Sequence, residues 1–242
     1  MTRARQTAIG LSLAIWVIAT WLAVHILAVL FLPLDGSALL FALPLVLLQC
    51  WLSVGLFIVA HDCMHGALAP GRPALNRAFG RLALILYAGF SFDRLSAKHF
   101  DHHRHAGTAA DPDFDADHPR HFWPWYWRFF SQYFGLRELC VLTLAVAAYV
   151  LVLDAHLANL LLFWALPAIL SSLQLFLFGT YLPHRAGDEP FADRHRARSN
   201  GLGPALSLLT CFHFGYHHEH HRSPATPWWR LPAERALSVK AA

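Results

Sequence analysis

Histidine is the residue this sequence spends most freely: 17 of 242 residues, against four cysteines and two methionines. Eight of the histidines form three spaced groups. His61 and His65 stand four apart in HDCMH, His99, His102 and His103 follow in HFDHH, and His217, His220 and His221 close the series in HHEHH. Residues i, i+3 and i+4 share one face of a helix. At about 100° per residue, His102 lies about 60° to one side of His99 and His103 about 40° to the other. Each triplet is therefore expected to aim three imidazoles at one point. Eight convergent imidazoles exceed the three or four protein ligands of a single zinc site. The pattern predicts two metal ions, and an all-nitrogen donor set suits iron, copper, zinc or nickel. One H-x-x-x-H would carry little weight; three such boxes in order carry much more.

The same helical arithmetic sorts the neighbours. His105, about 120° from the mean of its triplet, and His218, about 100° to one side, point elsewhere. His213 stands four residues before His217 and about 40° off that face, so it is a candidate support or ligand. His184, in FGTYLPHRAG, follows an apolar run and is expected level with the boxes. Asp62 and Asp101 lie inside boxes but off the histidine face, where a carboxylate would orient a ligand imidazole. The run DPDFDAD, with Asp111, Asp113, Asp115 and Asp117, is either a solvated loop or a source of such a carboxylate, Asp113 being the candidate. Single histidines (His25, His118, His121, His156, His195) are read as satisfied structural residues.

These groups need a scaffold, and the composition says which kind. Hydrophobic residues make up 56% and charged ones only 14%, where a soluble domain carries about a quarter charged. The apolar residues come in blocks fit to cross a bilayer, predicting an all-α integral membrane protein. Four spans are expected at about 7–30, 39–59, 139–153 and 157–181, with an interfacial helix at about 82–92 that is too short to cross. Residues 61–137 and 184–242 then form a histidine-rich cap in a single domain. With the N-terminus inside, the two outside loops hold no Lys or Arg. Arg3, Arg5, the nine basic residues from Arg72 to Arg137 and the eight from Arg185 to Lys240 all lie inside. This positive-inside bias places the boxes and both termini in the cytoplasm of a multi-pass protein of the cell inner membrane. The basic, apolar start resembles a signal peptide, but its apolar run continues without a cleavage site, so it is read as a retained helix. The aromatic stretch FWPWYWRFFSQYF is either an interfacial belt or the wall of an apolar entrance.

Three boxes of the form H-x-x-x-H, H-x-x-H-H and H-x-x-H-H on one membrane face resemble those of the membrane fatty acid desaturase and hydroxylase superfamily. The strings HDCMHG, HFDHHRHAGTAADPDF, FGTYLPHR and CFHFGYHHEHH are similar to those of its bacterial β-carotene ketolases (carotenoid 4-oxygenases), from about Trp51 to His221. One departure is Cys63, where a small residue such as Ala is common. The resemblance implies two iron ions (Fe2+) on His61, His65, His99, His102, His103, His217, His220 and His221. It implies a ninth ligand before the third box, for which His184 is the best match and His213 the other candidate. It further implies O2 as co-substrate, and two successive hydroxylations at ring carbon 4 of a carotenoid such as β-carotene or zeaxanthin. The resulting diol loses water to give the ketone, as in astaxanthin-type products. The chain has no G-x-G-x-x-G loop and no cluster-binding cysteine set, so electrons are expected from a reduced ferredoxin meeting a basic surface. The lipid bilayer is the other partner, and no nucleic acid is expected. A fatty acid desaturase or carotenoid ring hydroxylase is the near alternative. A divalent-metal transporter is a distant one, because its ligands belong at the membrane midplane, where only His25 lies.

Overall fold

The computed structural model describes residues 1–241; Ala242 of the expected cap lies outside them. Every regular element among the described residues is helical. Three helices are long and apolar enough to cross a membrane: α1 (Arg3–Phe31), α2 (Ala42–Met64) and α7 (Leu157–His184). A fourth crossing exists if α5 (Phe122–Tyr133) and α6 (Leu136–Val152) are taken as one span, broken by a 76° bend. The third expected span, 139–153, is thus the straight half of a broken pair. On its own α6 is 17 residues, or about 26 Å at helical rise, just short of the hydrocarbon thickness.

The helix boundaries follow from local chemistry. The Thr2 hydroxyl accepts from the Arg5 N–H and starts α1. The expected interfacial helix is longer than its apolar run, because α3 (Pro73–Ala88) begins at a proline whose missing N–H costs nothing there. It ends at Gly89, whose φ of 70° is the left-handed conformation that closes helices. The Ser91 hydroxyl then accepts from the Arg94 N–H and opens α4 (Phe92–His105). In the C-terminal third lie α8 (Pro204–Cys211), α9 (His217–Arg222) and α10 (Leu231–Ala241).

Helix α2 is the axis of the bundle, packed on α1, α3 and α7. Leu52, Val54 and Leu56 on α2 are fully buried, while Trp16, Phe31, Leu151 and Leu161 face outward toward lipid. Polar groups inside the bundle are paired across helices. Trp21 donates from Nε1 to Ser53 Oγ at 3.0 Å. The last turn of α1 widens to a π-helix at Leu27–Phe31, and the Asn159 amide donates to the carbonyls of Ala28 (2.8 Å) and Leu32 (2.7 Å). His25 pairs with the Tyr149 hydroxyl at 2.9 Å and stacks on Trp21, in keeping with a structural role.

The chemistry sits at one end of this bundle. Helix α2 runs past the expected end of its span, so His61 stands in its last turn and His65 at its C-cap. Helix α7 likewise runs on to His184 as its last residue, rather than ending before it. Helices α4 and α9 lie against these two ends.

Candidate metal centre

The nine histidines expected as ligands come together, in two groups. His61, His65, His99, His103 and His220 form one; His102, His184, His217 and His221 form the other. Within each group the ligand nitrogens all lie within 4.8 Å of one another. The expectation that each triplet serves one point needs correction. On α4, His99 and His103 go to the five-histidine group and His102 to the other. On α9, His217 and His221 go to the four-histidine group and His220 to the first. The reason is angular: residues i and i+4 are only about 40° apart on a helix, and the i+3 residue leans to the opposite side. Each triplet therefore straddles the two groups and ties them together.

The ring nitrogens of each group turn toward one another at close range. In the first group Nε2 of His65 lies 2.7 Å from Nε2 of His99, which is 3.1 Å from that of His103, itself 3.0 Å from that of His220. In the second group Nε2 of His221 lies 3.2 Å from that of His102 and 3.0 Å from that of His217. A neutral imidazole has one N–H and one lone pair. His102 donates from Nδ1 to Asp111, 3.0 Å from either carboxylate oxygen. His184 donates from Nδ1 to the Arg196 carbonyl at 2.8 Å. In their neutral forms both therefore carry lone pairs on Nε2, and Nε2 of His184 and of His61 is buried without a partner. Two all-imidazole groups with buried Nε2 atoms directed inward are the donor arrangement of a cation site, so the donor set fits two metal ions of the nitrogen-preferring kind.

Protonation points the same way. Burial first, and then neighbouring imidazoles, push His99, His217, His220 and His221 well below the ordinary histidine range. Burial lowers His65 to about 4, and burial with neighbouring His65 lowers His103 to about 2. All six are neutral at pH 7, as metal ligands must be. His102 is the exception. Burial disfavours its charge, but the hydrogen bond to Asp111 and the carboxylates of Asp113 and Asp111 raise it above the ordinary value.

Three of the four expected supporting residues are placed differently. Asp62 accepts from the Trp228 N–H at 3.2 Å and fastens the C-terminal segment to α2, so it orients no imidazole. Asp101 is partly exposed and pairs with Arg104 one turn on. His213 lies in neither group. Phe212 and His213 both adopt left-handed backbone, with φ of 48° and 62°, so the helical relation between His213 and His217 does not exist. His213 instead stacks on Tyr216 and Trp228. Asp113 is buried near His102 (3.9 Å), accepts the Tyr133 O–H, and is the one of the four close to the histidines. His218 turns away, as its angle predicts, to Asp193 at 2.8 Å.

Two residues carry more than their positions in sequence announced. Asp111, rather than Asp113, is the direct partner of His102. It is itself held by N–H groups of Gly107 and Asp113, both at 2.8 Å. The acidic run was the signal, but not which of its members turns inward. Glu219, inside HHEHH, is buried and accepts from Ser199 and from Arg235 at 3.0 Å, locking α9 in place.

A cavity of about 320 Å³ reaches the histidines. His99, His102, His217 and Asp113 close its inner end, and Phe57, Leu95, Phe129, Phe130 and Leu175 make most of the remaining wall apolar. Helix α5 resolves the two readings of its aromatic sequence by having two faces. Phe129, Phe130 and Tyr133 line the cavity, while Trp123 and Trp127 are exposed.

Comparisons with known proteins find relatives along most of the chain. A β-carotene ketolase of a Paracoccus strain is 52% identical over 236 residues, 97% of this chain and 96% of its own. A zeaxanthin 4-ketolase of Chlamydomonas reinhardtii is 36% identical over 96% of this chain and 54% of its own. A sphingolipid Δ4-desaturase/C4-monooxygenase of Homo sapiens is 30% identical over 76% of this chain and 61% of its own. The fatty acid desaturase family matches residues 36–241. With nine histidines gathered at the end of a membrane bundle and a match over most of its length, this chain belongs to the fatty acid desaturase family.

Proposed function

We propose that this chain is a membrane oxygenase that converts the C4 methylene of carotenoid β-ionone rings to a ketone. The observation that carries the reading is the junction of an apolar cavity with two all-histidine groups, in a chain 52% identical to a β-carotene ketolase. The ligands would be His61, His65, His99, His103 and His220 for one iron, and His102, His184, His217 and His221 for the other. When bound, the pair of irons supplies the oxidising power needed to break a C–H bond with O2.

The protein's own residues do the rest. The apolar wall takes a hydrocarbon ring out of the bilayer and excludes water from its reacting end. Asp111 and the Arg196 carbonyl hold His102 and His184 in the tautomer that leaves Nε2 free. Two hydroxylations at the same carbon give a geminal diol, which loses water to the ketone. Each hydroxylation consumes O2, two electrons and two protons. A reduced ferredoxin meeting the basic inner surface would supply the electrons. The positive-inside bias supports an orientation with both termini cytoplasmic.

Product analysis in a β-carotene-producing host tests this directly. Keto-carotenoids are expected, with two irons per purified chain; hydroxylated rings without ketones, or desaturated acyl chains, would overturn the reading.

A further inference from the structure

The ketolase reading requires one carbon to be oxidised twice, and the cavity contains a group suited to link the two rounds. Beyond the histidines, the polar residues on its wall are Tyr87, Asp113, Tyr133, Ser172 and Thr180. Four of these are paired within the protein. Tyr87 bonds Ser171 at 3.2 Å, Ser172 bonds the Tyr126 hydroxyl at 3.2 Å, and the Tyr133 O–H donates to Asp113. The Thr180 hydroxyl makes no hydrogen bond among the described residues, although the residue is only 6% exposed.

Its position is at the reacting end. Thr180 stands four residues before His184 on the same helix, about 6 Å along the axis, within the π-helical turn Leu177–Tyr181. The neighbouring Gly179 lets Phe214 pack against the helix, since a Cβ there would lie 2.2 Å from the Phe214 ring. Phe214 in turn sets its edge against His61 and His217, at centroid distances of 4.8 and 5.0 Å. Most of this wall is apolar, and of its hydroxyl and carboxyl groups only that of Thr180 has no partner among the described residues.

We propose that the Thr180 hydroxyl binds the alcohol formed at the reacting carbon and retains it for the second oxidation. The inference rests on the ketolase reading. In the first round a C4–H bond is replaced by C4–OH. One oxygen atom of O2 enters the alcohol and the other leaves as water, using two protons and two electrons from an external one-electron carrier protein. The product alcohol now needs a hydrogen-bond partner in a mostly apolar space whose other hydroxyl and carboxyl groups are already paired, and an unpaired one is driven out toward lipid headgroups and water. Thr180 supplies that partner. A second identical round gives the geminal diol, which loses water. Thr180 is thus a positioning residue for the intermediate, with no part in the first C–H cleavage.

The test uses membranes containing the wild type, Thr180→Val, Thr180→Ala or Thr180→Ser, supplied with O2 and a continuously reduced ferredoxin and fed the unsubstituted carotenoid and, separately, its 4-hydroxy derivative. The alcohol-to-ketone ratio is read within each variant, so expression level and overall activity cancel. Thr180→Val and Thr180→Ala should raise that ratio by about tenfold, as expected for losing one buried hydrogen bond. They should raise KM for the 4-hydroxy substrate similarly, and KM for the unsubstituted one by no more than about twofold. Thr180→Ser should restore the wild-type ratio. An unchanged ratio in both Val and Ala variants overturns the proposal, as does an equal rise in KM for both substrates. Wild-type membranes that form no C4-oxygenated carotenoid overturn the ketolase reading itself, before any variant is compared.

Discussion

The two histidine groups are built differently. The four-histidine group is wholly buried, and two of its rings are fixed from behind, His102 by Asp111 and His184 by the Arg196 carbonyl. The five-histidine group has half-buried members in His65, His99 being flanked by it and by half-buried His103. No carboxylate bonds its rings among the described residues; their directions are set by packing on α2, α4 and α9. One group is therefore pre-formed by hydrogen bonds, with no ligand to spare. The other has a fifth nitrogen and an edge open toward solvent. Rigidity and redundancy are divided between neighbouring sites that share the same two helices.

The largest effects should come from removing ligands, and they should differ in kind. On the proposed di-iron reading, His184→Ala or His221→Ala leaves three nitrogens in the four-histidine group, and the iron content of the purified chain should fall from two per chain toward one. His65→Ala leaves four in its group, so most of the second iron should remain. Activity should fall about a hundredfold or more in all three if, as proposed, both sites serve one reaction. Measured by metal analysis on the same samples, equal iron loss in His65→Ala and His184→Ala would remove the distinction.

Taking away the support behind a ligand is the next step down. Asp111→Ala leaves His102 in place but frees its tautomer, and should cost 10–100-fold in iron affinity or activity. Asp101→Ala breaks only an exposed pair with Arg104 and should change neither measurably. Chelator titration of the two variants beside the wild type measures the difference. An Asp101→Ala loss as large as that of Asp111→Ala would mean that charge near the centre, rather than the hydrogen bond, sets affinity.

What the sequence could disclose of this site has a physical boundary. Spacing inside one helix is rigid, so the membership of the three boxes and the exclusion of His105 and His218 were legible. Crossing between helices is not local. The straddling of each triplet depends on how α4 and α9 approach α2 and α7, and no spacing rule contains that. The break at Phe212 and His213 was hidden for a related reason. Left-handed backbone costs a non-glycine residue about 1–2 kcal/mol, so a local reading continues the helix through HFGYHH. Tertiary packing decides otherwise, since Phe212 stacks on Trp51 at 4.4 Å. The bend between α5 and α6 was masked too, because an aromatic helix and an aliphatic one each read as apolar on their own.

The smallest expected effect is also the sharpest check on the helical argument. His218 sits between two ligands of the four-histidine group in sequence, His217 and His221, and shares their residue type. Yet it bonds Asp193 on the outer face of α9, with its side chain 20% exposed and that of Asp193 36%. A pair this close to solvent contributes no more than about 1 kcal/mol, less after screening. His218→Ala should therefore keep both irons and most of the wild-type turnover, lowering thermal stability only slightly. Glu219, its immediate neighbour, gives the contrast: Glu219→Ala leaves Arg235 and Ser199 without their buried acceptor and should loosen α9 as a whole. Iron content in these two adjacent variants separates the faces of one short helix. Loss of iron in His218→Ala, with iron kept in Glu219→Ala, would mean that α9 presents its opposite face to the centre.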